Sequence, residues 1–191
     1  MAGTTSAFGW TYPTSTDLVK DGASAIQTLA TGIDTSMKRH GCVLTNSASQ
    51  SINSGVIPTV AITFNSEILD TDAYHSTVSN TSRITIPSGL PGVYNVWAYC
   101  RWDDVNTVTN PIVIITLNGT AVNRFQSIST VTFTPTTVSW TGYCAVGDYL
   151  EMRVYHTTGA ARDVEVVAAG GANSIDPQSP VFAAFRVGGP A

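Results

Sequence analysis

GVYNVWAYCRW, residues 92–102, is the stretch whose reading decides the fold. β-Branched and aromatic residues dominate it, and its apolar positions follow no helical period. In an extended chain Tyr94, Val96, Ala98, Cys100 and Trp102 share one face, while Val93, Trp97 and Tyr99 share the other. Three further runs of the same kind follow: PIVIITLNGTAV (111–122), TTVSWTGYCAV (136–146) and GDYLEMRVYHTT (147–158). Turn-forming residues separate them at 106–111, at Asn118-Gly119, at 134–136 and at Gly147-Asp148. The block predicts the inner strands of an all-β domain.

Weaker strand signals surround it. Residues 59–64 alternate, RITIP (83–87) is stopped by Pro87-Ser88-Gly89, and 127–134, 164–168 and 180–187 supply further strands. Residues 65–82 read as a long polar connection. Nine or ten strands at this spacing predict a mainly β, two-sheet sandwich.

The first 41 residues have a different character. Residues 1–15 form a turn-rich arm in which Phe8, Trp10 and Tyr12 alternate with Gly9 and Thr11 and end at Pro13. Residues 16–40 predict an amphipathic helix with Ala23, Ile26, Leu29 or Ala30, Ile33 and Met37 on one stripe. Gly22 weakens its middle, Lys38, Arg39 and His40 suit its last turn, and Gly41 suits its termination. Trp10, Tyr12, Pro13, Ile26, Leu29 and Ile33 are therefore the candidate anchor to a partner. The expected organisation is an arm and helix at 1–41, a linker at 42–58 that opens with a short strand at 42–44, and a β domain at 59–191.

Composition bounds the function. Apolar residues make up 43% of the 191 positions, enough for one core plus an extension. Only 12% are charged, about half the usual share. That fits either a surface covered by other subunits or a Thr-rich exterior, and composition does not choose between them. A net charge of −4 argues against nucleic-acid binding. MAGTTSAFGW has neither a basic start nor an apolar core, so no signal peptide is expected. No apolar run approaches the ~20 residues of a membrane span.

No catalytic, metal or cofactor site is predicted. His40, His75 and His156 lie far apart with no HExxH spacing, and there is no GxSxG elbow. Asp70 and Asp72, like Asp103 and Asp104, read as loop carboxylates in preference to calcium ligands. Asn80-Thr81-Ser82 and Asn118-Gly119-Thr120 match a glycosylation pattern by chance. Cys42, Cys100 and Cys144 cannot all pair within one chain, and a Cys100–Cys144 bridge is left open.

Two resemblances rest on particular residues. The order of 59–64 with Asp70, RITIP, GVYNVWAYCRW, IITLNG, GDYLEMRVYHTTG and the closing PVFAAFRVG resembles the jelly-roll head of the complement-component and tumour-necrosis-factor-like superfamily. That resemblance implies a jelly-roll sandwich, no enzyme activity, and a homotrimer held by aromatic and aliphatic faces of one sheet. Because residues 92–102 are apolar on both faces, Tyr94, Trp97 and Tyr99 are the expected trimer contacts. Gly9, Trp10, Tyr12, Pro13, Thr16, Asp17, Asp21, Gly22, Ala23, Ala25 and Ile26 resemble a segment that opens many tailed-phage minor structural proteins. Phage relatives often carry Pro after the Asp, where this chain has Leu18.

Together they imply a virion protein made in the host cytoplasm, anchored by its N-terminus to coat or tail proteins. Capsid decoration, cement or a short head fibre is the expected role. A tail fibre or spike adhesin that binds a host glycan or protein is the alternative, and a secreted recognition module is more remote.

Overall fold

In the computed structural model the described residues are 3–5, 9–14, 21–102, 107–127, 135–166 and 179–189. The chain divides into two units, Met1–Arg39 and His40–Ala191.

In the first unit, β1 (Gly3–Thr4) pairs antiparallel with β2 (Thr11–Tyr12). Thr5 N donates to Trp10 O and Gly9 N to Thr5 O, both at 2.9 Å. Gly9 turns the hairpin at φ +65°, a backbone region that glycine enters without a steric penalty. Helix α1 runs Gly22–Met37 behind Asp21 as N-cap. Gly22 is the first residue of α1. Lys38 turns extended, at ψ 125°, so Lys38, Arg39 and His40 lie beyond the last turn that they were expected to occupy. Residues 16–20 of the expected helix fall outside the described residues.

The second unit is a mainly β, antiparallel jelly-roll sandwich. Its strands are β3 (Gly41–Thr45), β4 (Gln50–Ile52), β5 (Val60–Ala61), β6 (Ser66–Asp70), β7 (Arg83–Thr85) and β8 (Gly92–Trp102). They continue as β9 (Ile112–Leu117), β10 (Thr120–Gln126), β11 (Pro135–Cys144), β12 (Tyr149–Tyr155), β13 (Arg162–Glu165) and β14 (Val181–Gly188). One sheet centres on β8. β11 lies along one side of it, and β14 and β13 share the other, leading on to β3 and β6 and to β4. The second sheet runs β10–β9–β12, with β5 and β7 sharing the far side of β12.

The alternation expected of residues 92–102 is present: Tyr94, Val96, Ala98, Cys100 and Trp102 are fully buried. They meet Val113, Ile115, Leu150, Met152 and Val154 of the facing sheet in one core, where Phe64 and Phe182 stack with centroids 5.9 Å apart. Asn118 and Gly119 both take positive φ, as a two-residue hairpin between β9 and β10 requires.

Four stretches differ from expectation. The short strand expected at 42–44 is present as β3, but the rest of 42–58 is not a linker. β3 pairs along β14, β4 pairs with β13, and Cys42, Leu44 and Ile52 belong to the core. The stretch was misread because its Ser and Asn residues brace turns. Gly41 ends no helix. It opens β3, where a Cβ would collide with the Ala184 carbonyl oxygen. Within the expected polar connection, Ser66–Asp70 forms edge strand β6. From 59–64 only Val60–Ala61 is a strand, and β11 begins at Pro135, inside the expected turn. The strand expected at 127–134 falls mostly outside the described residues; the strand before it is β10.

Candidate functional site

The face of the β8 sheet turned away from the core is built from residues distant in sequence. Strand pairing places Leu69, Val43, Ala183, Trp97 and Ser139 in one row across β6, β3, β14, β8 and β11. A second row is Thr45, Val181, Tyr99 and Thr137, and a third is Gly41, Phe185, Asn95 and Thr141. None of these residues is charged. Five strands at ~4.8 Å spacing make the face about 20 Å wide.

Trp97 is 43% exposed and Leu69 40%, while Ala183 between them is 1% exposed. Trp97 Nε1 donates to Thr137 Oγ1 at 3.2 Å, and Thr137 Oγ1 in turn donates to Ala98 O at 3.1 Å. The indole is thus held in place while its face meets solvent. Tyr143, opposite Val93, is 51% exposed and extends the apolar surface along β11. This is the second apolar face of β8, with Trp97 and half-buried Tyr99 on it and the Arg101–Glu165 ion pair at its end.

Tyr94 is not on it. Its side chain is fully buried, its hydroxyl donates to Leu90 O at 2.7 Å, and it lies 3.1 Å from the Tyr74 hydroxyl. The expected contact at Tyr94 is therefore corrected: it is a core residue. Sequence could show that two faces of β8 are apolar, but only the position of the second sheet decides which is covered. Val43, Leu69 and Ala183 escaped sequence reasoning because register between remote strands leaves no local signal.

In the first unit, Trp10 lies over the helix: a Cβ on Gly32 would sit 3.4 Å from Trp10 Cδ1. The Tyr12 ring lies over Gly3, and Tyr12 is 40% exposed. Ile26 is 61% exposed, and Pro13, Leu29 and Ile33 are half-buried. No described residue of α1 is buried, so its apolar stripe remains largely open.

The histidines brace the fold. His75, with a fully buried ring, places Nδ1 2.8 Å from Glu67 Oε1 and Nε2 3.1 Å from Thr81 O. His156 Nε2 donates to Ile52 O at 2.9 Å, Thr158 N donates to its Nδ1 at 3.3 Å, and its ring packs edge-on against Trp102. His40 Nδ1 pairs with Asp72 Oδ2 at 2.8 Å. Asp70 accepts from the backbone N–H groups of Asp72, Tyr74 and His75 and so caps a turn. Asp103 and Asp104 lie outside the described residues. Among the described residues no three His, Cys, Asp or Glu side chains gather as metal ligands would.

The cysteines are buried free thiols. Cys100 stands opposite Thr136 and Cys144 opposite Gly92, at different ends of the β8–β11 pair. Eight residues at ~3.3 Å put them about 26 Å apart, far beyond disulfide reach. Burial pushes the Cys100 thiol up to about 12 and, with Asp148, the Cys144 thiol up to about 11; burial first, then Asp70 and Glu67, raises Cys42 well above 9.0.

A polar groove of about 390 Å³ lies between the β3–β4 turn and residues 63–65. Its amides are already engaged. Asn46 Nδ2 donates to Thr63 O, Asn65 Nδ2 to Ser47 Oγ and Gln50 Nε2 to Ala61 O. It holds the turn in place and offers few groups to a ligand.

No family model matches the chain. No curated protein matches it. Solved structures do share its fold. Murine APRIL at pH 5.0 superposes with TM-score 0.55 at 8% identity over 78% of this chain and 100% of that one. The globular domain of zebrafish complement 1qA protein gives 0.53 at 11% identity over 79% and 99%. Eiger TNF from S. frugiperda gives 0.53 at 10% identity over 80% and 95%. At such identities the likeness establishes a jelly roll of this kind and nothing about ligands.

Proposed function

We propose that this chain is a non-enzymatic surface protein of a tailed-phage virion. In this reading its jelly-roll unit assembles as a homotrimer and its N-terminal unit attaches to coat or tail proteins. The observation that carries the reading is the uncharged three-row face around Trp97 and Ala183. An exposed aromatic held among uncharged rows is the composition of an interface core. The likeness to tumour-necrosis-factor and complement heads supports a trimer as the assembly. The phage-like N-terminal residues and the open stripe of α1 support an anchor. The rows alone span on the order of 20 Å by 14 Å, below the roughly 800 Å² that each partner of a stable complex buries, so the interface extends past them.

Capsid decoration, cement or a short head fibre is the role within this reading, and a tail fibre or spike adhesin is the alternative. Sedimentation equilibrium tests the assembly. The full chain is expected at three times its 20.1 kDa mass, and Trp97→Glu at the mass of a monomer. A monomeric wild type at micromolar concentration, or a Trp97→Glu trimer of undiminished stability, overturns the assembly. Quantitative mass spectrometry of purified particles tests the location, with hundreds of copies expected for decoration and a handful of trimers for a tail or vertex.

A further inference from the structure

The outer face of the second sheet carries a hollow of about 310 Å³ lined by Ile57, Thr59, Ile112, Ile114, Arg124 and Tyr155. Register explains its shape. Ile114 stands between Arg124 of β10 and Arg153 of β12, and Ile112 stands between Gln126 and Tyr155. Ile57 is 80% exposed at the rim, a large apolar side chain left to solvent.

The two arginines beside Ile114 differ. Arg153 is pinned: Nη1 donates to Glu151 Oε2 at 2.8 Å, Nε to Thr59 Oγ1 at 3.1 Å, and Nη2 to Thr59 O. Glu151 also takes Arg83 Nε at 3.3 Å. One carboxylate therefore serves two guanidiniums. The Arg124 side chain makes no hydrogen bond or ion pair with the described residues; its backbone N–H donates to Asn123 Oδ1. Arg83 and Arg153 share the Glu151 carboxylate, and Arg124 adds a third guanidinium on the same sheet of a chain whose net charge is −4. A chain so short of charge that concentrates cation around an apolar hollow has the complement of an anion with an apolar body.

We propose that this hollow binds a small amphiphilic carboxylate, with its head on the Arg124 guanidinium and its branched-aliphatic or aromatic body against Ile57, Ile112, Ile114 and the Tyr155 ring. The Arg124 fork supplies two parallel donors, a geometry that suits a carboxylate better than a lone ammonium would. Thr59, whose hydroxyl accepts from Arg153, lines the same hollow and keeps a free donor. The site stands on the opposite sheet from the Trp97 face and does not depend on the assembly or the anchor.

Phenylacetate is the probe, read by NMR of Ile δ1 methyl groups in the full-length protein. Saturable shifts are expected at Ile57, Ile112 and Ile114 in the millimolar range, as befits a ligand of this size. Phenylacetamide (the same body without charge) and acetate (the head alone) should each bind at least about tenfold more weakly. Arg124→Gln should weaken phenylacetate about tenfold or more, the scale of a charge-assisted hydrogen bond. Arg124→Lys should fall between, keeping charge and losing the fork. Both changes are at an exposed side chain, and unshifted methyl groups elsewhere verify the fold. Equal affinity for phenylacetate and phenylacetamide, unchanged affinity in Arg124→Gln, or no methyl shift at saturating probe overturns the proposal.

Discussion

The hydroxyls of Tyr74 and Tyr94 lie 3.1 Å apart inside the sandwich, with their rings edge-on. Tyr94 gives its single proton to Leu90 O at 2.7 Å, so Tyr74 is the donor within the pair. Burial raises both hydroxyls, and the shared bond raises Tyr74 while lowering Tyr94, as expected of a donor and its acceptor. The direction of the proton makes the two residues unequal. Tyr94→Phe strands the Leu90 carbonyl and the Tyr74 hydroxyl together and should cost about 2–4 kcal/mol. Tyr74→Phe removes only a donor whose acceptor keeps its own bond and should cost about 1 kcal/mol. Urea unfolding of the two variants and of the double variant checks this. The double should be little worse than Tyr94→Phe, and additive costs would contradict the assigned direction.

The three thiols predict an alkaline limit to stability. Each folded thiol holds its proton more tightly than the ordinary value of 9.0, because a buried thiolate lacks water. The unfolded chain ionises first as pH rises past 9, so the stabilisation is fully present below about pH 9. It is lost between there and the folded values of about 11 for Cys144 and about 12 for Cys100. Each such thiol subtracts about 1.4 kcal/mol per pH unit across its window. Melting temperatures between pH 8 and pH 11 should fall, and Cys100→Ala should flatten the fall while lowering stability at neutral pH. At pH 8 the native protein should also resist thiol-specific labelling and react only as it unfolds.

Residues 92–102 were legible because β8 is the centre of its sheet: strands on both sides and a core beneath impose a strict two-residue period. The Asn118-Gly119 hairpin was legible for a local reason, since both positions need positive φ. β6 was not. As an edge strand its central residues Glu67, Ile68 and Leu69 are all exposed, so burial imposes no alternation on SEILD. β4 was hidden because it is short and finds its partner, β13, more than a hundred residues later, while β3, legible as a short strand at 42–44, gave no sign of its place beside β14. The candidate face suffered the same way: Trp97 announces itself, but its row-mates Ala183, Val43 and Leu69 come from three other strands.

The position of β3 moves the boundary at which the β unit can be cut. A chain that begins at His40 keeps β3 and should melt as one cooperative unit, in accord with the division after Arg39. A chain that begins at Asn46 loses Cys42 and Leu44 from the core, strips β14 of a neighbour and leaves β6 without a partner. Losing two buried apolar side chains forfeits about 3–6 kcal/mol in burial alone, a large share of the stability of a domain this size. Calorimetry should give a single sharp transition for the first and none for the second. A cooperative melt from the shorter chain would make β3 an accessory to the fold.

The anchor can be tested with a residue whose loss leaves its own unit intact. Trp10 lies against Gly32 and makes the arm–helix contact, so Trp10→Ala confounds loss of attachment with loss of local structure. Ile26 is 61% exposed on α1, and replacing it subtracts little from the isolated chain. If the open stripe of the helix meets a coat or tail protein, Ile26→Glu buries an unpaired carboxylate in that contact, and interface changes of this kind typically cost about 2–4 kcal/mol. A trimer compounds the loss, since three linked anchors act with avidity. Particle incorporation should therefore fall at least tenfold for Ile26→Glu while the melting temperature of the free protein stays within about 1 °C, as for other exposed substitutions. Tyr12→Ala, also at an exposed ring, should lower incorporation by a smaller factor. Wild-type copy number in the Ile26→Glu, Tyr12→Ala double variant would move attachment away from the helix and onto the jelly-roll unit.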